Sequence, residues 1–434
     1  MLGYAQEQRN LTREQKQAVG LLSIGTFLEQ FDLMLYVHMS VLINGIFFSP
    51  TSTYSMKMLS AFAFCSTFVF RPFGAILFGW IGDNIGRRAT IIITTFMMAC
   101  ACAIMAVLPS YKDIGFTASI LLTLCRIAQG MSSLGELTGA EMYAAETIKP
   151  PIQYPAVAAM TVACVVGSVI ALAVASLVTS NGFNWRYAFG FGAFVAIIGT
   201  IARTTLRETP EFLDAKRRIK SRVEKTGYDS RKIEDNIILK EKVSYKTTLA
   251  YFLVQCTWPV WFYFGYIYCG DILHDKFNYT EIQVIHNNLL ISIAELTGAF
   301  ILSYLSYKIY PLKILRASFV ILVIFICAYP FIMPNITNPT EIVIIQIFFL
   351  VFAPGYFPAA SIFFKHFPVF KRFTYVSLIM AFSRAFMYVV SSIGLVFLTD
   401  YFGHWGLLVL IVPTSIGYHW GLRHFENLEK SVLD

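Results

Sequence analysis

Twelve runs of about twenty mostly apolar residues, separated by short polar loops, dominate this 434-residue chain. In hydrocarbon such a run satisfies its own backbone only as a helix. About 20 residues rising ~1.5 Å each cross a bilayer core of ~30 Å. The runs fall at 18–47, 58–82, 89–109, 115–142, 154–179 and 184–206, then at 247–270, 283–307, 314–333, 340–365, 373–398 and 404–422. With 56% hydrophobic and 14% charged residues, a soluble domain of this size would lack the polar surface it needs.

Between the sixth and seventh runs lies the one long polar stretch, Arg207 to Lys246, of mixed charge with a basic excess. It reads as a linker, 207–246, with an amphipathic helix, joining one six-helix bundle over 1–206 to another over 247–434. The expected fold is an all-α membrane protein of twelve transmembrane helices. Met1 to Gln17 is polar and lacks the pattern of a cleavable signal peptide, so the first run is expected to be a retained span. Gly74-Ala75, an apolar run and a basic loop recur faintly as Gly298-Ala299, an apolar run and Lys308 to Lys313, as parallel six-helix repeats would.

Basic residues set the orientation. Of the 34, 27 fall on the side of the even-numbered loops, both tails and the linker, only Lys57, Lys112, Arg186 and Lys276 on the other, and Arg71, Arg126 and Arg384 within the runs. Both termini are therefore expected in the cytoplasm. The same crowding between apolar runs accounts for the net charge of +8 without nucleic acid. The eight cysteines lie in apolar runs with no CxxC pair, and the seven histidines show no metal spacing, so no metal or other cofactor is expected. The absence of a Ser/His/Asp cluster or a phosphate-cradling glycine loop argues against a membrane enzyme or an ATP-driven pump.

Charged groups within a span cost about 2.5–3.5 kcal/mol each on insertion scales, so they face a cavity or a partner. Glu29, Arg126, Glu295 and Arg384 fall near the midplane, with Asp32 and Arg71 somewhat off it. Spans three, six, nine and twelve carry none at depth. Gly25, Glu29, Asp32 and Tyr36 repeat at four, three and four, which puts them on one helical face. Arg126, Gln129, Ser133, Glu136 and Ala140 form a similar stripe on the fourth span. The stripes can neutralise each other, for instance Arg126 against Glu29 or Asp32. One reading makes Glu29 and Asp32 proton carriers and Arg126 the anchor for a substrate carboxylate; the other is a static network that only fixes the helices.

Several segments carry a resemblance. Phe73-Gly74-Ala75 leads into Gly79-Trp80-Ile81-Gly82-Asp83-Asn84-Ile85-Gly86-Arg87-Arg88, a glycine-bounded turn with one acid and an arginine pair. The first span reads Leu28-Glu29-Gln30-Phe31-Asp32 to Tyr36, and the fourth Arg126-Ile127-Ala128-Gln129-Gly130 to Gly135-Glu136 and Glu146. Trp185-Arg186, Leu206-Arg207-Glu208-Thr209-Pro210-Glu211-Phe212 and Phe367-Pro368 to Thr374 complete it. Together they resemble the major facilitator superfamily, its metabolite:proton symporter branch, and within that branch most nearly the proline/betaine transporters. Gln30 stands where that branch has an aromatic, Val37 and Leu134 where it has glycines, and Pro151 to Tyr154 where it has a basic Arg-Gly element. The chain ends about a dozen residues past the last span, so osmotic regulation by a C-terminal coiled coil is not expected.

The resemblance implies two bundles rocking about a central polar cavity, with spans three, six, nine and twelve as a lipid-facing scaffold. It also implies a gating latch built from Arg71, Gly79, Asp83, Gly86, Arg87 and Arg88, with Glu136 and Glu146 as its partners, whereas Glu141 reads as an inert helix-end charge. Arg87 and Arg88 serve equally as orienting charges. Trp258 and Trp261, with Tyr263, Tyr266 and Tyr268 on the seventh span, suit either cation–π binding of a quaternary ammonium or ordinary packing. The expected substrate residues are thus Tyr36, Arg126, Gln129, Trp258, Trp261, Glu295 and Arg384. The expected activity is proton-coupled symport of a small polar metabolite, a zwitterion such as proline or betaine before a di- or tricarboxylate, by a monomer in a bacterial-type inner membrane. The rival expectation is a non-transporting receptor of the same fold.

Overall fold

A computed structural model describes residues 7–48, 68–181, 184–226 and 242–433. The first part of the second apolar run, 58–67, lies outside these residues, as do Lys57 and linker residues 227–241. Among the described residues six helices are each long and apolar enough to cross a membrane, and a shorter apolar helix, Pro339–Phe352, accompanies them.

The first half comprises α1 (Arg13–Phe47), α2 (Arg71–Asn84), α3 (Arg87–Val107), α4 (Phe116–Thr147), α5 (Gln153–Asn181) and α6 (Arg186–Arg203). Helix α1 begins on a capping box: Thr12 Oγ1 accepts from Gln15 N at 3.2 Å, while Gln15 Oε1 accepts from Thr12 N at 3.0 Å. Pro72 in the first turn of α2 forfeits no intrahelical bond. Gly86, at φ 151°, separates α2 from α3 and sits where any side chain would strike the Glu208 carboxylate. The linker helix Pro210–Thr226 is amphipathic and basic.

The second half opens with α7, built end to end from Tyr245–Gln255, Thr257–Phe262, a π-helical turn Tyr263–Tyr268 and Cys269–Phe277. Then follow α8 (Glu281–Lys308), α9 (Pro311–Ile332), α10 (Pro339–Phe352), the short helix Ala360–Phe364, α11 (Val369–Phe402) and α12 (Gly406–Leu433). The π turn frees the Gly265 carbonyl, which accepts from Gln346 Nε2 at 2.7 Å. Gln346 is in turn fixed by Asn287 at 3.1 Å.

The halves form two bundles that meet through α5 against α8 and α2 against α11. Large apolar side chains such as Phe96, Phe194, Ile324 and Ile416, on α3, α6, α9 and α12, point outward, as in a lipid-facing scaffold. At the end bearing both termini, one apolar core joins Ala75 and Met142 of the first half to Tyr251, Phe363 and Phe373 of the second. The molecule is closed at that face.

Candidate functional site

Residues spaced along α1 and α4 meet in antiparallel register. Tyr36 lies under the Arg126 guanidinium, 4.0 Å from it to the ring centre. Arg126 Nη1 reaches Asp32 Oδ2 at 3.0 Å and Gln129 Oε1 at 2.8 Å, and Gln129 Nε2 donates to Asp32 Oδ1 at 2.7 Å. Cys102 Sγ of α3 adds a contact to Asp32 at 3.6 Å. This cluster is buried within the first bundle, which satisfies both Asp32 oxygens and the arginine's charge. Tyr36, Arg126 and Gln129 are expected substrate residues, yet none of them lines the inter-bundle cavity, and Asp32 pairs with Arg126 inside the first bundle.

One step along the same stripe, Gly25 makes room for Glu136. That carboxylate is an expected partner of the Asp83 loop, but the structure spends it elsewhere. Glu136 accepts from Arg203 Nη1 at 2.5 Å, from Thr94 at 2.9 Å and from Thr95 at 2.5 Å. Arg203 also donates to the carbonyls of Leu21 and Leu22, at 3.0 and 2.9 Å, tying α6 to α1. In the sequence Arg203 only marks the end of the sixth apolar run. Its full burial is visible only in the fold.

Between the bundles lies a cavity of ≈ 140 Å³. Its charged lining is Arg71, Glu295 and Arg384, and Trp258, Phe262, Tyr266 and Tyr388 supply aromatic walls. Arg71, expected with the Asp83 turn, lies away from it: it opens α2 at cavity depth, where Nη2 lies 3.7 Å from Glu29 Oε1. Glu29 sits behind it, buried, with Oε2 unpartnered among the described residues. Glu295 accepts from Tyr266 Oη at 2.7 Å and forms no ion pair among the described residues. Arg384 likewise forms none among the described residues, and its Nε is buried without a hydrogen-bond partner. A basic and an acidic side chain, neither in an ion pair among the described residues, thus share one cavity. Of the two tryptophans, Trp258 lines the cavity, whereas Trp261 packs in the second bundle's core, stacked on Phe349 with centroids 4.9 Å apart. The two are three residues apart, so only ~60° around the helix divides the ring facing the cavity from the ring facing the core.

At the closed face the glycine-bounded turn reaches the second bundle. Asp83 Oδ1 and Oδ2 accept the Phe373 and Thr374 amides near the start of α11, at 3.0 and 2.8 Å. An acid there also meets the positive end of that helix. Arg87 donates to Asp83 at 3.1 Å, to Glu146 at 3.1 and 3.2 Å, and to the Val369 carbonyl at 2.7 Å. Arg372 of α11 donates to Glu146 at 3.0 Å and pairs with Glu211 of the linker helix at the same distance. A Cβ on Gly79 would come within 2.7 Å of Thr374 Cα, so glycine is what lets α2 approach α11. Arg88 stands apart: it is exposed and donates to the Thr204 carbonyl at 2.5 Å within the first bundle. Glu208 caps the start of α3, accepting the Arg87 and Arg88 amides at 3.0 and 3.3 Å.

Two bundles, a cavity between them that carries a few charged groups, and an acid–arginine cluster joining them at one face define a two-bundle membrane protein. The sequence profile of the Major Facilitator Superfamily matches residues 22–394, and the chain belongs to that family. It is 32% identical over 209 residues to a proline/betaine transporter of Salmonella typhimurium, a match covering 45% of this chain and 41% of that protein. A proline/betaine transporter of Escherichia coli K12 matches at the same identity and coverage. The chain thus spans about two fifths of the length of these relatives. Among solved structures, the proton:xylose symporter XylE bound to 6-bromo-6-deoxy-D-glucose superposes with a TM-score of 0.72 at 14% identity, covering 93% of this chain and 94% of that one. That likeness speaks to the fold.

Proposed function

We propose that the chain is a secondary active transporter that carries a small zwitterion, of the proline or betaine kind, together with protons by alternating access. The observation that carries this reading is the cavity that sets the un-ion-paired Arg384 and Glu295 among Trp258, Phe262 and Tyr266. A solute with a carboxylate at one end and an ammonium at the other completes both charges. Aromatic faces favour a quaternary ammonium by about 0.5–2 kcal/mol. The names of the matched relatives support the same substrate class.

Glu29 and Asp32 are the proposed proton carriers, and Glu29 is the better placed. Arg71 lies between Glu29 and the cavity, so a bound solute carboxylate competes for the same guanidinium. Glu29 then loses its compensating cation and takes a proton, which links proton and solute binding as symport requires. Inward protons supply about 2.3 kcal/mol per 100 mV, enough for roughly 50-fold accumulation. The closed face is the proposed cytoplasmic one, in a bacterial inner membrane, with both termini on that side and the protein working as a monomer. Two arginines on one cavity also favour a second reading, a di- or tricarboxylate as the solute.

Uptake of labelled proline, betaine, 2-oxoglutarate and citrate into proteoliposomes, with and without an imposed proton gradient, separates these readings. Zwitterion accumulation that follows the gradient supports the first; carboxylate accumulation alone supports the second. Glu29→Gln is expected to abolish uphill accumulation while leaving exchange measurable, and Asp32→Asn tests the enclosed cluster in the same way. Full accumulation in both variants rejects proton carriage by α1. No flux of any solute leaves the receptor reading.

A further inference from the structure

Glu141 lies one helical turn from Leu137, which lines the cavity, and is completely buried in α4. Its Oε1 accepts from Thr161 Oγ1 of α5 at 3.1 Å and from Tyr356 Oη of the second half at 3.1 Å. Its Oε2 is buried with no hydrogen-bond partner among the described residues. Among the described residues no lysine, arginine or histidine lies within 4.0 Å of it. The ionisable groups facing it from neighbouring helices are Tyr356, Tyr251 of α7 and Cys164 of α5, with Arg384 of α11 and Glu29 of α1 further off. A lone ionised carboxylate at such a place costs several kcal/mol, far more than the neutral acid.

We propose that Glu141 is a second proton-binding site, one whose proton holds the closed face shut through Tyr356. This rests on the alternating-access reading above. Thr161 and Tyr356 both line the cavity, so Glu141 stands directly behind a wall shared by the two bundles. Its contact with Tyr356 joins the first half to the second and parts when the bundles rock. Water then reaches Oε1 and Oε2, and the ionised form becomes affordable. The neutral acid therefore favours the closed face and the carboxylate the open one. Acid on the side of the termini shifts the population towards closure.

Infrared difference spectra of the full chain in lipid nanodiscs, wild type minus Glu141→Gln, read the protonation state without any need for flux. The expected result at neutral pH is loss of one protonated-carboxyl band in the variant. Hydrogen exchange of the segment around Tyr356 gives the conformational readout. Protection there is expected to fall as pH rises in wild type and to stay high and pH-independent in Glu141→Gln. In Tyr356→Phe, which keeps the acid but not the bond between the halves, the carboxyl band is expected to persist while exchange quickens. Loss of a carboxylate band instead of an acid band, or equal pH response in wild type and Glu141→Gln, overturns the proposal. A protein with no measurable flux but with these spectra would refute the transport reading and leave the proton site standing.

Discussion

Arg372 of the second bundle lies 3.0 Å from Glu146 of the first, on the same carboxylate oxygen that Arg87 holds at 3.1 Å. One buried acid is thereby shared by two cations from opposite sides of the bundle boundary, and Thr209 fills its other oxygen at 2.7 Å. Burial opposes ionisation of Glu146, which sits beyond the end of its span. Arg87 and Arg372 outweigh that and hold its carboxyl below the ordinary range. The pairing is therefore complete above the usual carboxylate range and is lost only as pH falls through the depressed value.

Removing that acid leaves Arg87 with Asp83 alone and Arg372 with Glu211 alone. Because each arginine keeps one acid, Glu146→Gln is expected to cost about 1.4–3 kcal/mol of the closed arrangement, below the range for a fully orphaned buried charge, and so to shift the open–closed ratio on the order of 10- to 10²-fold. Spin-label distances between α2 and α11 check this. An unchanged distance distribution would show that the latch does not hold the bundles together.

Gly79 tests the same boundary sterically. Gly79→Val puts a branched side chain against the Thr374 backbone, where even a Cβ comes within 2.7 Å. Closure is expected to be prevented while thermal stability of the separate bundles changes little. Alkylation of a cysteine introduced at Phe373 should quicken relative to the same cysteine with Gly79 intact.

Arg203 is expected to matter for stability and not for flux. Arg203→Ala strands Glu136 in the first bundle and frees the carbonyls of Leu21 and Leu22. A loss of about 3–5 kcal/mol is expected, read as a lowered melting temperature in detergent. Arg203→Ala with Glu136→Gln should recover part of it, because the uncompensated charge is then gone.

Glu429 provides a pH signature at the far end of α12, beyond the last expected span. Burial works against its ionisation, but hydrogen bonds from His366, Lys365 and Tyr310 outweigh it and bring its carboxyl down to about 2 from 4.5. A depressed carboxylate contributes stability that is full above 4.5 and is lost as pH falls towards about 2. Glu429→Gln is therefore expected to melt lower than wild type at neutral pH, with the gap closing in acid across that window. A gap that stays constant in acid would contradict the assignment.

The cavity makes a graded prediction for ligand binding. Trp258→Ala is expected to weaken betaine binding about 3- to 30-fold, the range of one cation–π contact, and Trp261→Ala to lower stability with no specific loss of affinity. Calorimetric titration of both variants against wild type decides it.

The four–three–four spacing of Gly25, Glu29, Asp32 and Tyr36 was enough to place them on one face, and the face they meet on α4 was readable in the same way. The glycine-bounded acid and arginine turn was readable because such a turn has few conformations. Which residue pairs with which was not. Glu136 looked like a partner of the Asp83 loop and is held by Arg203; Arg71 looked like part of that loop's latch and lines the cavity; Trp261 looked like a neighbour of Trp258 and packs on Phe349. Glu141 looked inert because spacing along one helix says nothing of Tyr356, 215 residues away.

By itself the sequence determined that the chain spans a membrane twelve times, where its polar stripes run and which turn is tight enough to need glycine. Those properties follow from local quantities: helix period, segment length and the desolvation cost of each side chain. The tertiary structure alone decided that Arg384 and Glu295 share a cavity without ion-pair partners among the described residues, and that Glu146 is gripped from both bundles. Such pairings depend on the relative placement of helices far apart in the chain, and a charge's energy in low dielectric is set by what lies within a few ångströms of it.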